Sequence, residues 1–83
     1  MILGTVENSV IFPGVRVGKG AVVRNSVLLP SAVVADGAVV DYAILAQNAV
    51  VETGAQVIGE KSQITVIPEG ETVSVASTEQ RVG

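Results

Sequence analysis

A 17-residue internal repeat is the feature that most constrains how this chain folds. Three Val-Xaa-Xaa-Gly-Ala units begin at Val17, Val34 and Val51, so the spacing is 17 residues both times. Self-similarity at a fixed period is the sequence signature of stacked structural repeats. The same spacing relates further apolar, small and proline positions, namely Val6, Val23, Val40 and Val57; Val10, Val27 and Ile44; Ile11, Leu28 and Leu45; Ser9, Ser26 and Ala43; and Pro13 and Pro30.

Each repeat divides into three short runs, and residues 6–22 read VENSVI, FPGVR and VGKGAV. Each run begins with an apolar residue, which is the hexapeptide pattern of a β-helix with three short strands per coil. Gly20, Gly37 and Gly54 are predicted at one column of corners, where a positive φ is easiest for glycine. Pro13 and Pro30 are predicted at another, where a missing N–H does no harm.

The composition fits the interior of such a coil. The chain has 18 valines and 6 isoleucines against 4 leucines, with 2% aromatic residues. This usage favours strands, and a narrow prism favours small or β-branched side chains. Because alternate residues of a strand share a face, the predicted inward set is Val6, Val10, Phe12, Val15, Val17, Ala21, Val23, Val27, Leu29, Ala32, Val34, Ala38, Val40, Ile44, Ala46, Ala49, Val51, Ala55 and Val57.

The predicted fold is therefore an all-β, left-handed parallel β-helix of just over three 17-residue coils. The left-handed winding rests on resemblance to hexapeptide coils as a class. Residues 1–59 are predicted to form the repeats. After Gly59 the period stops, and residues 60–75 are predicted to form a short cap with strands at 64–67 and 72–75 joined by a turn at 68–70. Residues 76–83 are predicted to be a frayed tail.

Missing residue types exclude several kinds of chemistry. The chain contains no Cys and no His, so we expect neither an ordinary zinc site nor His-based catalysis, and no cofactor. The net charge of −3 with 5 basic residues argues against nucleic-acid binding. The first residues lack the features of a signal peptide, and no apolar stretch is long enough to span a membrane. We expect a cytoplasmic protein without a membrane partner.

Residues that superficially suggest a catalytic site have simpler structural interpretations. The segment from Gly14 to Gly20 has three residues between Gly and Gly-Lys and then another Gly, so it departs from the phosphate-binding loop. Glu7, Arg24 and Asp41 are predicted to stack as an alternating charge ladder. Lys19 is predicted to stack on Asp36, Asn8 is predicted to stack on Asn25 as an amide ladder, and Arg16 is expected to be solvated.

Apolar residues in the outward columns of the predicted coil indicate an interface. The column of Ile11, Leu28 and Leu45 is the first candidate, and the pair Val22 and Val39 is the second. Stacked at about 4.8 Å, such a column becomes a contiguous patch that marks a contact surface. The alternative is that β-branched residues are simply favoured in strands.

Residues 4–30, which read GTVENSVIFPGVRVGKGAVVRNSVLLP, closely resemble the carboxy-terminal β-helix of bacterial glucose-1-phosphate adenylyltransferase. The similarity extends over residues 2–59. The resemblance implies an upstream nucleotidyltransferase domain that makes ADP-glucose from ATP and glucose 1-phosphate for glycogen synthesis. It also implies that the β-helix packs on that domain, helps to build a homo-oligomer and contributes to allosteric regulation.

By this resemblance the chain alone has no catalytic, cofactor-binding or metal-binding residue, because the family's catalytic residues lie in the upstream domain. Its expected partners are further copies of itself, the nucleotidyltransferase domain, or both. The resemblance does not distinguish a catalytic subunit from an inactive paralogue, and the tails of other sugar nucleotidyltransferases are similar. A free-standing scaffold or interaction module is the alternative function.

Overall fold

Short parallel strands make up the described part of the chain, which is residues 1–75 of the computed structural model. Twelve strands lie within it, and none is longer than three residues. In chain order they are β1 (Thr5–Glu7), β2 (Val10–Ile11), β3 (Arg16–Val17), β4 (Val22–Arg24), β5 (Val27–Leu28), β6 (Val33–Val34), β7 (Val39–Asp41), β8 (Ala43–Leu45), β9 (Val50–Val51), β10 (Gln56–Ile58), β11 (Thr65–Ile67) and β12 (Thr72–Val73).

Every third strand belongs to the same sheet, so the chain winds as a three-sided solenoid. Sheet 1 has the order β1-β4-β7-β10, sheet 2 has β11-β8-β5-β2 and sheet 3 has β12-β9-β6-β3. All named strand pairs are parallel, and from β1 to β10 the paired residues are 17 apart, as in Val6 with Val23. The predicted all-β stack of about three coils is confirmed; its left-handed winding stays a prediction.

Glycine forms the corner between sheet 3 and the next strand of sheet 1, as predicted. Gly20, Gly37 and Gly54 have φ values of 72°, 71° and 74°. A Cβ added at any of them would meet nothing within 4 Å, so the backbone conformation, and not space, favours glycine there.

Proline precedes the corner between sheets 2 and 3. Pro13 is followed by Gly14 with φ 80°, and Pro30 is followed by Ser31 with φ 65°. The proline carbonyls accept hydrogen bonds from the next coil. Ser31 donates its N–H to the Pro13 oxygen at 3.2 Å, and Asn48 donates its N–H to the Pro30 oxygen at 3.2 Å. The prediction that both prolines lie at one column of corners is confirmed.

The corner between sheets 1 and 2 overturns part of the predicted core. Asn8, Asn25 and Tyr42 each have φ 50°, and this left-handed residue turns the chain so that strand alternation starts again after it. The residue that follows therefore points inward: Ser26 is 4% exposed and Ala43 is 1% exposed. In sheet 2 the inward positions are consequently shifted by one residue from those predicted.

The predicted orientation of sheet 2 is accordingly wrong. Leu28 and Leu45 are fully buried, and Ile11 packs against the core; they cannot form the outward column proposed as the first interface. The residues predicted inward there lie on the outer side instead, namely Val10, Phe12, Val27, Leu29, Ile44 and Ala46. Sheets 1 and 3 agree with prediction: Val15, Val17, Ala21, Val23, Ala32, Val34, Ala38, Val40, Ala49, Val51, Ala55 and Val57 are buried.

The repeat resumes after a five-residue insertion instead of stopping at Gly59. Thr65 pairs with Ala43 and Val73 pairs with Val51, so these partners are 22 residues apart, five more than the repeat. The extra residues 60–64 form a projecting turn closed by the antiparallel bridge of Glu60 with Gln63. β11 and β12 extend sheets 2 and 3, and their role as a cap stays a prediction. The predicted frayed tail, residues 76–83, lies outside the described residues.

Adjacent leucines test the orientation of sheet 2. Leu28→Ala removes a fully buried side chain and is expected to lower the free energy of unfolding by about 2–5 kcal/mol. Leu29→Ala is the matched control: its side chain lies on the outer side and is only partly buried, so we expect a clearly smaller loss. Urea denaturation followed by circular dichroism measures both, and a larger loss at Leu29 would contradict the observed alternation.

Candidate interface

The outer side of sheet 2 forms a continuous apolar surface, which we call the apolar face. Each of its four strands contributes one outward residue, and the residue that directly follows the strand adds a second: Val10 and Phe12, Val27 and Leu29, Ile44 and Ala46, and Val66 and Pro68. Val10 is 54% exposed, Phe12 39% and Val66 59%. All eight side chains are apolar. A contiguous patch of this kind on a small protein marks a contact surface.

The outer sides of the other two sheets are mixed. In sheet 1 the outward column of Val22 and Val39 continues into Thr5 at one end and Gln56 at the other. Both valines are partly buried and lie on the outer side, so their predicted orientation is confirmed, and their part in an interface stays a prediction. Sheet 3 has the outward column Arg16, Val33, Val50 and Thr72. The apolar face is therefore the strongest candidate interface.

A polar ladder borders the apolar face along the corner between sheets 1 and 2. Asn8 donates its amide to the Asn25 side-chain oxygen at 2.7 Å, and Asn25 donates to the Asp41 carboxylate at 3.1 Å. Arg24 lies 3.5 Å from the same carboxylate. The predicted stacking of Glu7, Arg24 and Asp41 is confirmed by their register, and Arg24 with Asp41 is the ion pair found within residues 1–75.

Serine side chains bond the inner side of this corner. Ser26 donates its hydroxyl to the Arg24 carbonyl at 2.6 Å and accepts the Ala43 N–H at 3.2 Å from the next coil. Ser9 repeats the pattern one coil earlier, with its hydroxyl on the Glu7 carbonyl at 2.8 Å. These bonds satisfy backbone groups where the turn interrupts the strand ladder. The serines thus stabilise the corner between sheets 1 and 2.

The remaining charged residues predicted to stack do so differently from expectation. Asp36 accepts a hydrogen bond from the backbone N–H of Lys19 at 3.0 Å, and no ion pair between their side chains is found in the described range. A surface pocket of about 540 Å³ lies beside Asp36 against sheet 3, with Arg16, Leu3 and Val33 also among its lining residues. The Asp36 carboxylate therefore links two neighbouring coils through its hydrogen bond with the Lys19 N–H.

Two further features of residues 1–75 bear on the site. No group of three or more His, Cys, Asp or Glu side chains in that range is arranged to hold a metal ion. None of its helices is long and apolar enough to cross a membrane.

The stacked parallel coils, the left-handed corner residues and the 17-residue register define a β-solenoid of the hexapeptide-repeat class. The model of the family described as GlmU-like, C-terminal hexapeptide matches residues 1–73. The chain belongs to this family and is a hexapeptide-repeat domain of the kind that forms the tail of GlmU-like sugar nucleotidyltransferases. No curated protein and no solved structure matches the chain.

Two asparagines with the same backbone conformation test the polar ladder. Asn25 has φ 50° and Asn48 has φ 62°, so glycine suits both backbones. Asn25→Gly removes the amide that bonds Asn8 and Asp41 and is expected to cost about 1–2 kcal/mol of stability. Asn48→Gly, at an exposed position, is expected to change stability by less than about 0.5 kcal/mol. Equal effects of the two substitutions in urea denaturation would show that the ladder does not stabilise the corner.

Proposed function

We propose that this chain is a non-catalytic structural, regulatory and oligomerisation domain of a sugar nucleotidyltransferase, specifically of a glucose-1-phosphate adenylyltransferase. In this proposal the reaction of ATP with glucose 1-phosphate, which yields ADP-glucose for glycogen synthesis, takes place in a separate cytoplasmic nucleotidyltransferase domain. The β-solenoid contributes a rigid surface for assembly. The family match supports the class of enzyme, and the resemblance of residues 2–59 supports the particular member.

The apolar face is the observation that carries the assembly role. Burial of apolar surface is the main favourable contribution to protein association, and the three sides of this solenoid differ in how much they offer. Sheet 2 exposes Val10, Phe12 and Val66 with no polar side chain between them. Regular stacking of the coils holds these residues in fixed positions, so little conformational entropy is lost when a partner covers them.

A rigid solenoid also suits a regulatory role in this assembly. Its strands are tied to both neighbouring coils by backbone hydrogen bonds, such as Val33 N–H to the Ala49 carbonyl at 2.9 Å. A shift at one end of such a body moves the whole of its docking surface. A domain packed on the apolar face would therefore respond to the position of the solenoid as a unit.

A tail-exchange experiment tests this proposal. The chain replaces the tail of a glucose-1-phosphate adenylyltransferase, and assembly is measured by light scattering and ADP-glucose synthesis by product analysis. We expect the hybrid to assemble and to exceed the tail-less domain in activity. Val27→Lys in the apolar face should abolish both gains. Val33→Lys, the same substitution on sheet 3, should retain them, because Val33 and Val27 are both partly buried outward valines of the second coil.

The comparison with a second enzyme makes the proposal specific. The same exchange is made in a sugar nucleotidyltransferase that transfers a different nucleotide. Gain of assembly only in that second enzyme would assign the chain to another member of the class. Failure of the wild-type hybrid in both enzymes would contradict the structural role and favour a free-standing scaffold.

A further inference from the structure

We propose that the apolar face binds a second copy of this chain, with the two solenoids packed face to face and running antiparallel. This proposal rests on the structural role proposed above and names the partner of the apolar face. Four rungs make up that face, with Val10, Val27, Ile44 and Val66 as its successive outward residues. In the antiparallel arrangement Val10 lies opposite Val66 of the second copy, and Val27 lies opposite Ile44.

The extent of the apolar surface agrees with a weak specific dimer. The five-residue insertion lies at the border of the last rung and adds Ile64, which is 45% exposed, to the neighbouring Val66. The exposed surface of the apolar-face side chains and of Ile64, summed over two copies, amounts to roughly 1,000 Å², which is the lower limit for a specific interface. Burial of this area is sufficient for reversible association and insufficient for a permanent dimer, so charge becomes decisive for the orientation.

Charge is distributed unevenly along the solenoid axis. Residues 1–34 contain three basic residues and one acidic residue, a net charge of +2. Residues 35–75 contain one basic and six acidic residues, a net charge of −5. An antiparallel pair places the positive half of each copy beside the negative half of the other, whereas a parallel pair places like charges together. Complementary potentials of this kind select the orientation of a complex.

Charges at the border of the apolar face favour the same arrangement locally. A two-fold axis parallel to the strands brings the corner between sheets 1 and 2 of one copy against the same corner of the other. Arg24, whose side chain is 45% exposed, then faces Asp41 of the second copy, and Glu7 faces the insertion that contains Lys61. A two-fold axis parallel to the solenoid axis would instead bring this corner against the corner between sheets 2 and 3 of the second copy. That second corner contains Pro13, Pro30, Gln47 and Glu69 and has no basic residue.

Thiol cross-linking tests the orientation. The chain has no native Cys, so Val10→Cys and Val66→Cys each introduce a single thiol. Packed sheets lie about 10 Å apart, and a bismaleimide of about that reach is suitable. We expect the mixture of the two variants to give mostly the mixed cross-linked pair. Strong cross-linking of Val10→Cys with itself would overturn the antiparallel arrangement, because the two positions are then on the same rung.

Sedimentation at two salt concentrations tests the contribution of charge. We expect the dissociation constant of the wild-type dimer to rise about tenfold between about 0.05 M and 0.5 M salt, since screening removes the attraction between opposite charges. Val27→Lys should be monomeric and Val33→Lys should associate like wild type. A monomeric wild type, or association that strengthens with salt, would overturn this proposal. A monomeric wild type that still assembles in the tail exchange would place the nucleotidyltransferase domain on the apolar face and leave the proposed function intact.

Discussion

In-register parallel pairing is the interaction on which the rest of the structure depends. It makes each residue the direct neighbour of the residue one coil away, so every column of side chains must be compatible with itself. Inward columns of valine and alanine satisfy this requirement by packing, as Val17, Val34 and Val51 do. Polar columns satisfy it by pairing, as Asn8 with Asn25 and Arg24 with Asp41 do. Stability is thereby distributed over neighbouring coils, as in other repeat proteins.

Periodicity predicted most of this fold because it reports register directly. It predicts the strand positions and the buried residues of sheets 1 and 3. It also predicts the glycine corners, because Gly20, Gly37 and Gly54 accept a positive φ without strain. Periodicity does not predict that the repeat resumes after Gly59, because an insertion of five residues moves β11 and β12 out of the 17-residue spacing. The pairing of Thr65 with Ala43 shows that sheet 2 continues, and the pairing of Val73 with Val51 shows the same for sheet 3.

The outward column predicted for sheet 2 differs by one residue from the outward column that the structure shows. The predicted orientation assumes that strand alternation continues through the corner at Asn8 and Asn25, whereas the left-handed conformation of these residues reverses it. Asparagine tolerates that conformation, so Asn8 and Asn25 are the sequence signal for a left-handed corner. Tyr42 in the same column gives no such signal. The outward apolar column therefore shifts from Leu28 to Val27, and with this shift the whole of sheet 2 gains an apolar outer side.

Rigidity and one apolar side together support the assembly role that we propose for this domain. The solenoid has short strands, tight corners and buried positions filled by small side chains, so its surface is preorganised for a partner. Sheets 1 and 3 carry the charged and polar groups that keep the remaining surface hydrated. The assembly proposed for sheet 2 depends on the stacked coils and requires no catalytic group.

Methyl-group nuclear Overhauser contacts test the central claim most directly. The structure predicts contacts from the Leu28 and Leu45 methyls to those of core residues Val23 and Val40, and no contact from Val27 or Ile44 to the same valines within one chain. The assignment is made on a sample in which labelled and unlabelled chains are mixed, so contacts between copies are separated. Contacts from Val27 and Ile44 to Val23 and Val40 would contradict the orientation of sheet 2 and with it the apolar face.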